Sequence, residues 1–465
     1  MINRNLVSLP RELLAIIFSY LDHSDIKKLS YCFPDRDFIL PFLVQKMKLS
    51  SESIAVFETG GNLSHLRHRV NYVTLTGLQS SDLIHTGSLI PVYCRSLELF
   101  PGITGLSIPF DFPRFYSAPF MIALLDAISE ISFYNNIKSL AVYMPGRLPK
   151  TNDLLIPFRE HIKRKSGSPD DGFRDRYRKC FRLYKRYSSG REIRSLFPRN
   201  LHTAIIYVDT GEVNIFESSS PFLFFLNSLQ TLETLTISTR ILRLERGLCT
   251  RDEDPFDYCF PNMKRVYLRQ SNWWCAKDVL MITYMFPNLE HLTFDNSIWA
   301  TRAISLPVCN STSDNPYRQL SSLKRLKTMR VTWCKSPEYA ATVNWVRYAN
   351  EGLKIHSTLK KEVTELIEAG LHDLEDIVFL EPYDLSSWEC FEEGHYRDRK
   401  VLRFNTVRKE EGWYLRWAEG TTKAKNDDPP SEHPWDTKLW CENKAKFGEW
   451  HSNPDECYPY SEDKS

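Results

Sequence analysis

Side chains capable of catalysis are abundant in this chain, but they do not form a known catalytic or metal-binding pattern. The 465 residues include 11 cysteines and 12 histidines, yet no GxxxxGK[ST], HExxH or GxSxG sequence occurs, and no GxGxxG follows a strand pattern. Cys441, His451 and Cys457 lack the closely spaced ligand pairs of structural zinc sites. We therefore expect no catalytic residues, no metal and no cofactor.

One interval is strongly basic. Between Arg159 and Arg199, fourteen lysines and arginines occur with only five acidic residues, and aromatic residues recur among them at helical spacing. Three interpretations stay open: a solvated basic helix, a site for an acidic or phosphorylated partner, or a nuclear-import or nucleic-acid patch. The candidate partner-binding residues are Arg174, Arg176, Arg178, Lys179, Arg182, Lys185 and Arg186.

Near the N-terminus, residues 6–29 read LVSLPRELLAIIFSYLDHSDIKKL, and their apolar members recur with helical period. Pro10 suits the first turn of a helix, where the backbone N–H has no partner. So short a pair of helices cannot bury two apolar faces by itself, so we expect part of this surface to be covered by something else. The segment resembles an F-box.

The resemblance implies a specific partner. F-box proteins dock these helices on a Skp-type adaptor, which joins them to a cullin ubiquitin ligase, while the rest of the chain selects the substrate. The implied adaptor-binding residues are Leu9, Pro10, Leu13, Ile17, Leu21, Ile26 and Leu29. The third helix of the family usually carries a Trp after a basic pair; here Phe38 stands in its place, and we expect Pro34 to break this helix early. The alternative is an ordinary helical hairpin packed on its own domain.

The middle of the chain repeats an apolar-x-x-apolar-x-apolar phrase. Two copies are nearly the same, FPNMKRVYL at 260–268 and FPNLEHLTF at 286–294. The eight copies begin at Val70, Ile103, Ile137, Leu232, Met263, Leu289, Leu326 and Leu374. The phrase is similar to the strand of a leucine-rich repeat, whose alternate side chains enter the core while the intervening ones line a concave surface.

The repeats are irregular. From Leu232 onward the copies follow one another after 31, 26, 37 and 48 residues, which exceeds the usual leucine-rich period of roughly 20 to 29 residues. The copies before residue 232 are the weaker ones, and the Asn or Cys that normally follows the strand is missing. A looser α/β arrangement with a mixed sheet is the alternative.

Helix signals alternate with these phrases. Helices are predicted to begin near Pro221, Asp278 and Pro337, and another is predicted to end at Gly370. Beyond residue 381 the phrase stops. Residues 400–408 and 413–417 then alternate on either side of a glycine-containing turn, which predicts a hairpin. The segment from 420 to 465 is polar and broken by prolines, and we expect it to be flexible.

Composition favours an intracellular protein. Sixty basic and 58 acidic residues give a net charge of +2, which predicts neither a nucleic acid nor a membrane as partner. No secretory signal and no run of membrane-spanning length is visible. The scattered cysteines, without a CxxC pair, are typical of a reducing compartment, so we expect the cytoplasm or the nucleus.

Together these observations predict an α/β protein. We expect a small helical F-box at 1–50, an irregular leucine-rich-repeat-like solenoid at 51–385 with a basic insert at 159–199, and a C-terminal hairpin and tail at 386–465. The expected function is that of a non-catalytic receptor, which links an unknown protein substrate to the Skp adaptor and cullin of an SCF-type ubiquitin ligase. The alternative is a non-enzymatic scaffold or nucleic-acid-associated protein that uses the basic insert and packs its N-terminal helices internally.

Overall fold

The computed structural model describes fifteen stretches of the chain. They are residues 9–21, 23–49, 54–75, 83–109, 117–144, 194–214, 221–243, 259–270, 276–298, 316–332, 352–380, 383–384, 399–410, 412–422 and 451–452. The chain divides into two compact units, Met1–Thr203 and Ala204–Ser465.

The first unit opens with three short helices. These are α1 (Arg11–Tyr20), α2 (His23–Ser30) and α3 (Arg36–Leu43). Pro10 precedes α1, and its carbonyl accepts a hydrogen bond from the Leu14 N–H at 3.0 Å, which starts the helix. The Asp35 carboxylate caps α3 by accepting the Phe38 N–H at 3.1 Å. Pro34 therefore lies before α3 and does not break it, contrary to expectation.

The rest of the first unit combines parallel strands with helices. Its strands are β1 (Lys46–Leu49), β2 (Tyr72–Leu75), β3 (Gly105–Pro109) and β4 (Ser139–Met144), and they pair in chain order, each parallel to the next. The connections contain a 3-10 helix (Ser64–Arg69), α4 (Leu83–Glu98), α5 (Ser117–Ser129) and a 3-10 turn (Tyr134–Asn136).

The second unit continues the same alternation and ends in a hairpin. Its strands are β5 (Thr203–Asn214), β6 (Thr234–Arg243), β7 (Arg265–Gln270), β8 (His291–Ile298), β9 (Thr328–Thr332), β10 (Asp376–Leu380), β11 (Tyr383–Asp384), β12 (Arg399–Lys409), β13 (Gly412–Thr422) and β14 (His451–Ser452). The helices are two 3-10 segments (Pro221–Ser228 and Pro316–Ser322), α6 (Ala276–Met285) and α7 (Gly352–Glu368).

The strands of the second unit lie side by side almost entirely in chain order. Strands β6 to β10 are parallel, and β12, β13 and β14 then add antiparallel to one edge, while β11 pairs with β8. The architecture is therefore mixed α/β.

All eight copies of the apolar phrase coincide with strands, and their apolar residues are buried. The second and third apolar residues of every copy are in a strand, and each apolar member of the eight copies is at most 3% exposed. The second residues are also in register from strand to strand. In the first unit this row is Val73, Leu106 and Leu140; in the second it is Leu235, Val266, Leu292, Met329 and Ile377. The three copies before residue 232 therefore form strands whose apolar residues are as fully buried as those of the later copies.

The nearly repeated FPN sequences join consecutive copies. The Asn288 side-chain amide donates to the Pro261 carbonyl at 2.9 Å, which lies one copy earlier. The rings of Phe260 and Phe286 pack against each other in a tilted arrangement, with their centroids 5.4 Å apart. The Lys264 carbonyl accepts the N–H groups of two successive residues at the start of β8, both at 2.9 Å. An asparagine therefore does bridge neighbouring copies, but it precedes the strand.

The intervening strand positions are less open than expected. Thr236 is 1% exposed and Thr293 is 2% exposed, although both point away from the core phrase. Thr293 lies in register between Tyr267 and Arg330, whose larger side chains flank it. A short side chain between long ones is shielded from water, so this intervening position is buried although it does not belong to the apolar phrase.

Where the structure describes their residues, the predicted helices and the predicted hairpin are present. Pro221 begins a helix, although of 3-10 type, and α6 begins two residues before Asp278. Gly370 follows α7 with φ of 127°, and Gly412 turns the β12–β13 hairpin with φ of 148°, both in the left-handed region that favours glycine.

Some predictions fall on parts of the chain without a description. The helix predicted near Pro337 and most of the predicted tail lie outside the described residues. Within that tail, residues 451–452 pair with Arg416 and Trp417 of β13. Among the helices that the structure describes, none is long and apolar enough to cross a membrane.

Candidate docking surface on the N-terminal helices

The three N-terminal helices build a small core of their own, which we call the helical region (residues 9–43). Its buried residues are Leu14, Phe18, Ile26, Phe33 and Ile39. Partly buried residues packed against them are Leu9, Ile17, Leu21, Leu29, Phe38, Phe42 and Leu43. Phe18 is 1% exposed, and its ring lies 5.5 Å from that of Phe33, 5.7 Å from Phe38 and 5.5 Å from Phe42. Aromatic packing around Phe18 therefore holds the three helices together.

Helix α1 also presents a second apolar face, and this one points to solvent. Leu13 is 47% exposed, Ile16 is 54% exposed and Tyr20 is 86% exposed. Their spacing of three and four residues puts them on one side of the helix, away from Leu14 and Phe18. We call Leu13, Ile16 and Tyr20 the outer face of α1.

Exposed apolar residues are concentrated in this region. Six large hydrophobic side chains are exposed among the described residues, and four of them lie between residues 13 and 31. Besides the outer face of α1 these include Tyr31, which follows α2 and is 77% exposed; the other two are Val56 and Tyr284. Single exposed apolar residues are ordinary, but a contiguous group of large ones marks an interaction surface.

The seven predicted docking residues divide between surface and core. Leu13 and Pro10 are exposed. The other members pack against the helical core: Leu9, Ile17, Leu21 and Leu29 are partly buried, and Ile26 is buried. The predicted set is divided because it contains apolar residues from both faces of α1. The helical period of these residues does not by itself say which face is the core.

Two residues of the surface were not in the predicted set. Ile16 and Tyr20 continue the helical spacing that starts at Leu13. That spacing was present in the sequence, but so was the competing row of Leu14, Phe18 and Leu21. Only the packing of α2 and α3 against the row of Leu14, Phe18 and Leu21 identifies Leu13, Ile16 and Tyr20 as the exposed row.

Two ion pairs lie within the helical region. The Arg11 guanidinium lies 2.7 Å from the Asp35 carboxylate and 5.9 Å from the centre of the Phe38 ring, so it ties the start of α1 to the start of α3. On α2, Lys28 lies 3.6 Å from Asp25. Since the Arg11 and Lys28 side chains are largely exposed, each pair contributes little to stability.

The basic interval is only partly described. Arg174, Arg176, Arg178, Lys179, Arg182, Lys185 and Arg186 all lie outside the described residues, so their role as partner-binding residues stays a prediction. At the end of the interval, Arg194, Leu196 and Phe197 are buried, and the Leu196 carbonyl accepts the Tyr134 hydroxyl at 2.5 Å. This end of the interval is therefore part of the packed interior of the first unit.

The described residues offer little for covalent or metal chemistry. No group of three or more His, Cys, Asp or Glu side chains that could hold a metal ion occurs among them. Burial, and then the charge of Glu98, raise the pKa of the Cys94 thiol to about 11, so this thiol is protonated at neutral pH and is a poor nucleophile.

Comparison with known proteins adds no relative: no protein-family model and no curated protein sequence matches this chain. The functional assignment therefore depends on the chain's own residues.

Proposed function

We propose that this chain is the substrate-recognition subunit of an SCF-type ubiquitin ligase, and that the outer face of α1 docks on a Skp-family adaptor. The observation that carries the proposal is the exposure of Leu13, Ile16 and Tyr20 on a segment that resembles an F-box. Large apolar side chains in water favour burial against a partner, since burying one contributes roughly 1.5–3 kcal/mol.

The helical region suits a docking module. Its core is formed within residues 9–43, so its outward residues are not needed to hold the three helices together. Among the predicted set, Leu9, Ile17, Leu21, Ile26 and Leu29 then shape the module from within, while Pro10 and Leu13 offer direct contact. Ile16 and Tyr20 join the docking set on the basis of their exposure.

The remainder of the chain is the substrate-binding part of this proposal, and we propose that it is an irregular leucine-rich-repeat-like solenoid. Parallel strands in chain order, in-register phrases, and the contacts of Asn288 and Phe286 with the preceding copy support it. Such a receptor contributes proximity. It raises the effective concentration of substrate lysines at the transfer centre, and needs no acid, base or nucleophile of its own.

Co-purification with a Skp-type adaptor tests the docking proposal. Replacing Leu13 and Ile16 together with Asp should weaken adaptor binding by two orders of magnitude or about 3 kcal/mol, because two apolar contacts are lost and two charges are introduced. Tyr284→Asp is the matched control: Tyr284 is 47% exposed, as is Leu13, but it belongs to α6 of the second unit.

The experiment has clear outcomes. Adaptor recovery that is lost with Leu13→Asp/Ile16→Asp and kept with Tyr284→Asp supports the proposal. Equal recovery with both variants overturns it, as does a wild-type chain that recovers no adaptor. Those results would favour the alternative, a scaffold whose helices serve only its own fold.

A further inference from the structure

The second unit carries a charge at the same position of five successive copies. Each charged residue directly precedes its strand, from β6 to β10, and the sign of the charge alternates along the row. In chain order the residues are Glu233, Lys264, Glu290, Lys327 and Glu375. We call these five residues the charge ladder.

Backbone hydrogen bonds hold the five residues side by side. The Glu233 carbonyl accepts the N–H groups of Lys264 and Arg265 at 2.9 and 3.0 Å. The carbonyls of Lys264, Glu290 and Lys327 each accept two successive N–H groups of the next copy in the same way, at 2.8 to 3.1 Å. Successive ladder residues therefore lie on neighbouring strands, which are about 4.8 Å apart.

Side-chain contacts join the ladder in pairs, and the pairs act on one another. The Lys264 ammonium lies 2.9 Å from the Glu233 carboxylate. The Lys327 ammonium lies 2.9 Å from the Glu290 carboxylate. The hydrogen bond from Lys327 lowers the pKa of Glu290, and the charge of Lys264 lowers it further. The pKa of Lys327 is raised by its hydrogen bond to Glu290, and the charge of Glu375 raises it further.

The backbone arrangement itself does not require charges. In the first unit the Asn71 carbonyl accepts the N–H groups of Thr104 and Gly105 at 2.8 and 2.9 Å. The Thr104 carbonyl accepts those of Lys138 and Ser139 at 2.7 and 3.0 Å. Asn71 and Thr104 directly precede β2 and β3, as the ladder residues precede their strands, but they are uncharged. The alternating charges of the second unit are therefore an addition to a backbone pattern that forms without them.

The charges add little to the stability of the sheet. The side chains of Lys264 and Lys327 are 48% and 44% exposed, and those of Glu233 and Glu290 are 38% and 27% exposed. Exposed ion pairs contribute little, because water and salt screen them.

The alternation instead distinguishes one order of the strands from another. An arrangement that omitted one copy would place two ladder residues of the same sign side by side, for example Lys264 beside Lys327 or Glu290 beside Glu375. Like charges directly opposite each other on neighbouring strands are destabilising. The native order is the one in which every ladder residue has neighbours of opposite sign.

The two nearly repeated copies need this distinction most. FPNMKRVYL and FPNLEHLTF share the FPN sequence and the apolar positions, so packing alone distinguishes them poorly. At the ladder position they carry Lys264 and Glu290, which are opposite in sign. Misassembly is a characteristic failure of repeat proteins.

We propose that the charge ladder fixes the order in which the copies of the second unit pair, by disfavouring any arrangement that omits a single copy. It acts while the chain folds and does not depend on the proposed adaptor contact.

Refolding of the full chain by dilution from denaturant tests this. Replacing Glu233, Lys264, Glu290 and Lys327 together with Gln removes two charges of each sign, so the net charge is unchanged. We expect the yield of native monomer, measured by size-exclusion chromatography, to fall by about half, while the midpoint of thermal unfolding of that monomer falls by only about 2–4 °C.

Ile377→Val is the matched control. Ile377 is fully buried in β10, so the loss of one methylene should lower the unfolding midpoint by a similar amount. The ladder is intact in this variant, so its refolding yield should equal that of the wild type.

Charge exchange distinguishes a ladder from two separate ion pairs. Glu233→Lys/Lys264→Glu keeps one pair but places an acidic side chain at position 264 beside Glu290, so we expect the refolding yield to fall. Inverting Glu290, Lys327 and Glu375 as well restores the alternation and should recover most of the yield.

Three results would overturn the proposal: equal yields from the four-Gln variant and Ile377→Val, a wild-type yield from the Glu233→Lys/Lys264→Glu exchange alone, or a five-residue inversion that refolds no better than that exchange. Because no adaptor is present in these measurements, their failure is independent of the adaptor co-purification above.

Discussion

The helical region and the sheet of the second unit expose opposite kinds of side chain. Helices α1, α2 and α3 are only 10, 8 and 8 residues long, and they leave Leu13, Ile16 and Tyr20 in water. The sheet buries its apolar phrases almost completely and exposes cations such as Arg265. A few short helices can cover only one face of α1, whereas each inner strand of the sheet is covered by two neighbours.

This contrast concerns the forces available to each region at its surface. The outer face of α1 offers apolar area, whose burial is not screened by salt. Exposed cations of the sheet such as Arg265 interact through charge, which salt screens. Stability should therefore depend on different residues in the two regions.

The largest expected effect is at the centre of the helical region. Phe18→Ala removes a ring packed against three other phenylalanines and should cost about 3–5 kcal/mol. Hydrogen exchange should then rise throughout residues 11–43 and the proposed adaptor binding should be lost, while strands β7 and β8 keep their protection. Equal loss of protection in β7 and β8 would show that the two regions do not unfold separately.

A comparable but smaller effect is expected within the sheet. Leu292 is fully buried in β8, so Leu292→Ala should leave a cavity and cost about 2–5 kcal/mol. Glu290 lies two residues earlier and pairs with Lys327 at 2.9 Å, with both side chains partly exposed, so Glu290→Ala should cost much less. Thermal melts of the two variants decide the strand register, and a greater loss with Glu290→Ala would contradict it. The proposed adaptor binding should survive in both variants.

The smallest expected effect is on the pH dependence of stability. Burial, and then the charge of Arg265, lower the pKa of His291 from its ordinary value of 6.5. The unfolded chain therefore binds this proton more readily than the folded one. His291 contributes stability that is full above the unfolded pKa and is lost as the pH falls through the folded pKa.

Substitution of His291 should reveal that loss. His291→Gln should flatten the decline in unfolding free energy between about pH 7.5 and about pH 5.5, measured by chemical denaturation. The pKa of Glu290 is also lowered, chiefly by the hydrogen bond from Lys327, so stability should still fall at lower pH in the variant. Parallel pH profiles of the variant and the wild type would show that His291 does not carry the effect.

Most of the strands could be predicted from the sequence, because a buried strand leaves a short, regular apolar pattern. All eight phrases form strands, and the turns at Gly370 and Gly412 lie where glycine was needed. The exposure of intervening positions could not be predicted in the same way. Thr293 is buried because Tyr267 and Arg330 flank it on other strands, and neither neighbour is close to it in sequence.

The candidate docking surface shows the same limit at closer range. The sequence by itself determined that α1 is a helix and that it carries more apolar residues than one face can hold. Leu13 and Leu14 are adjacent and chemically identical, yet one is 47% exposed and the other 3%. Only the packing of α2 and α3 decided between them, because burial depends on which side of a helix its neighbours occupy.

The arrangement of arginines on one side of the second unit's sheet belongs wholly to the tertiary structure. Arg265, Arg330 and Arg416 are separated by long stretches of sequence, and none of them lies in the interval whose composition is conspicuously basic. The strand register places them on one side of one sheet. Local composition determines secondary structure through period and turn residues; a surface assembled from several strands depends on their order and register, which no single segment encodes.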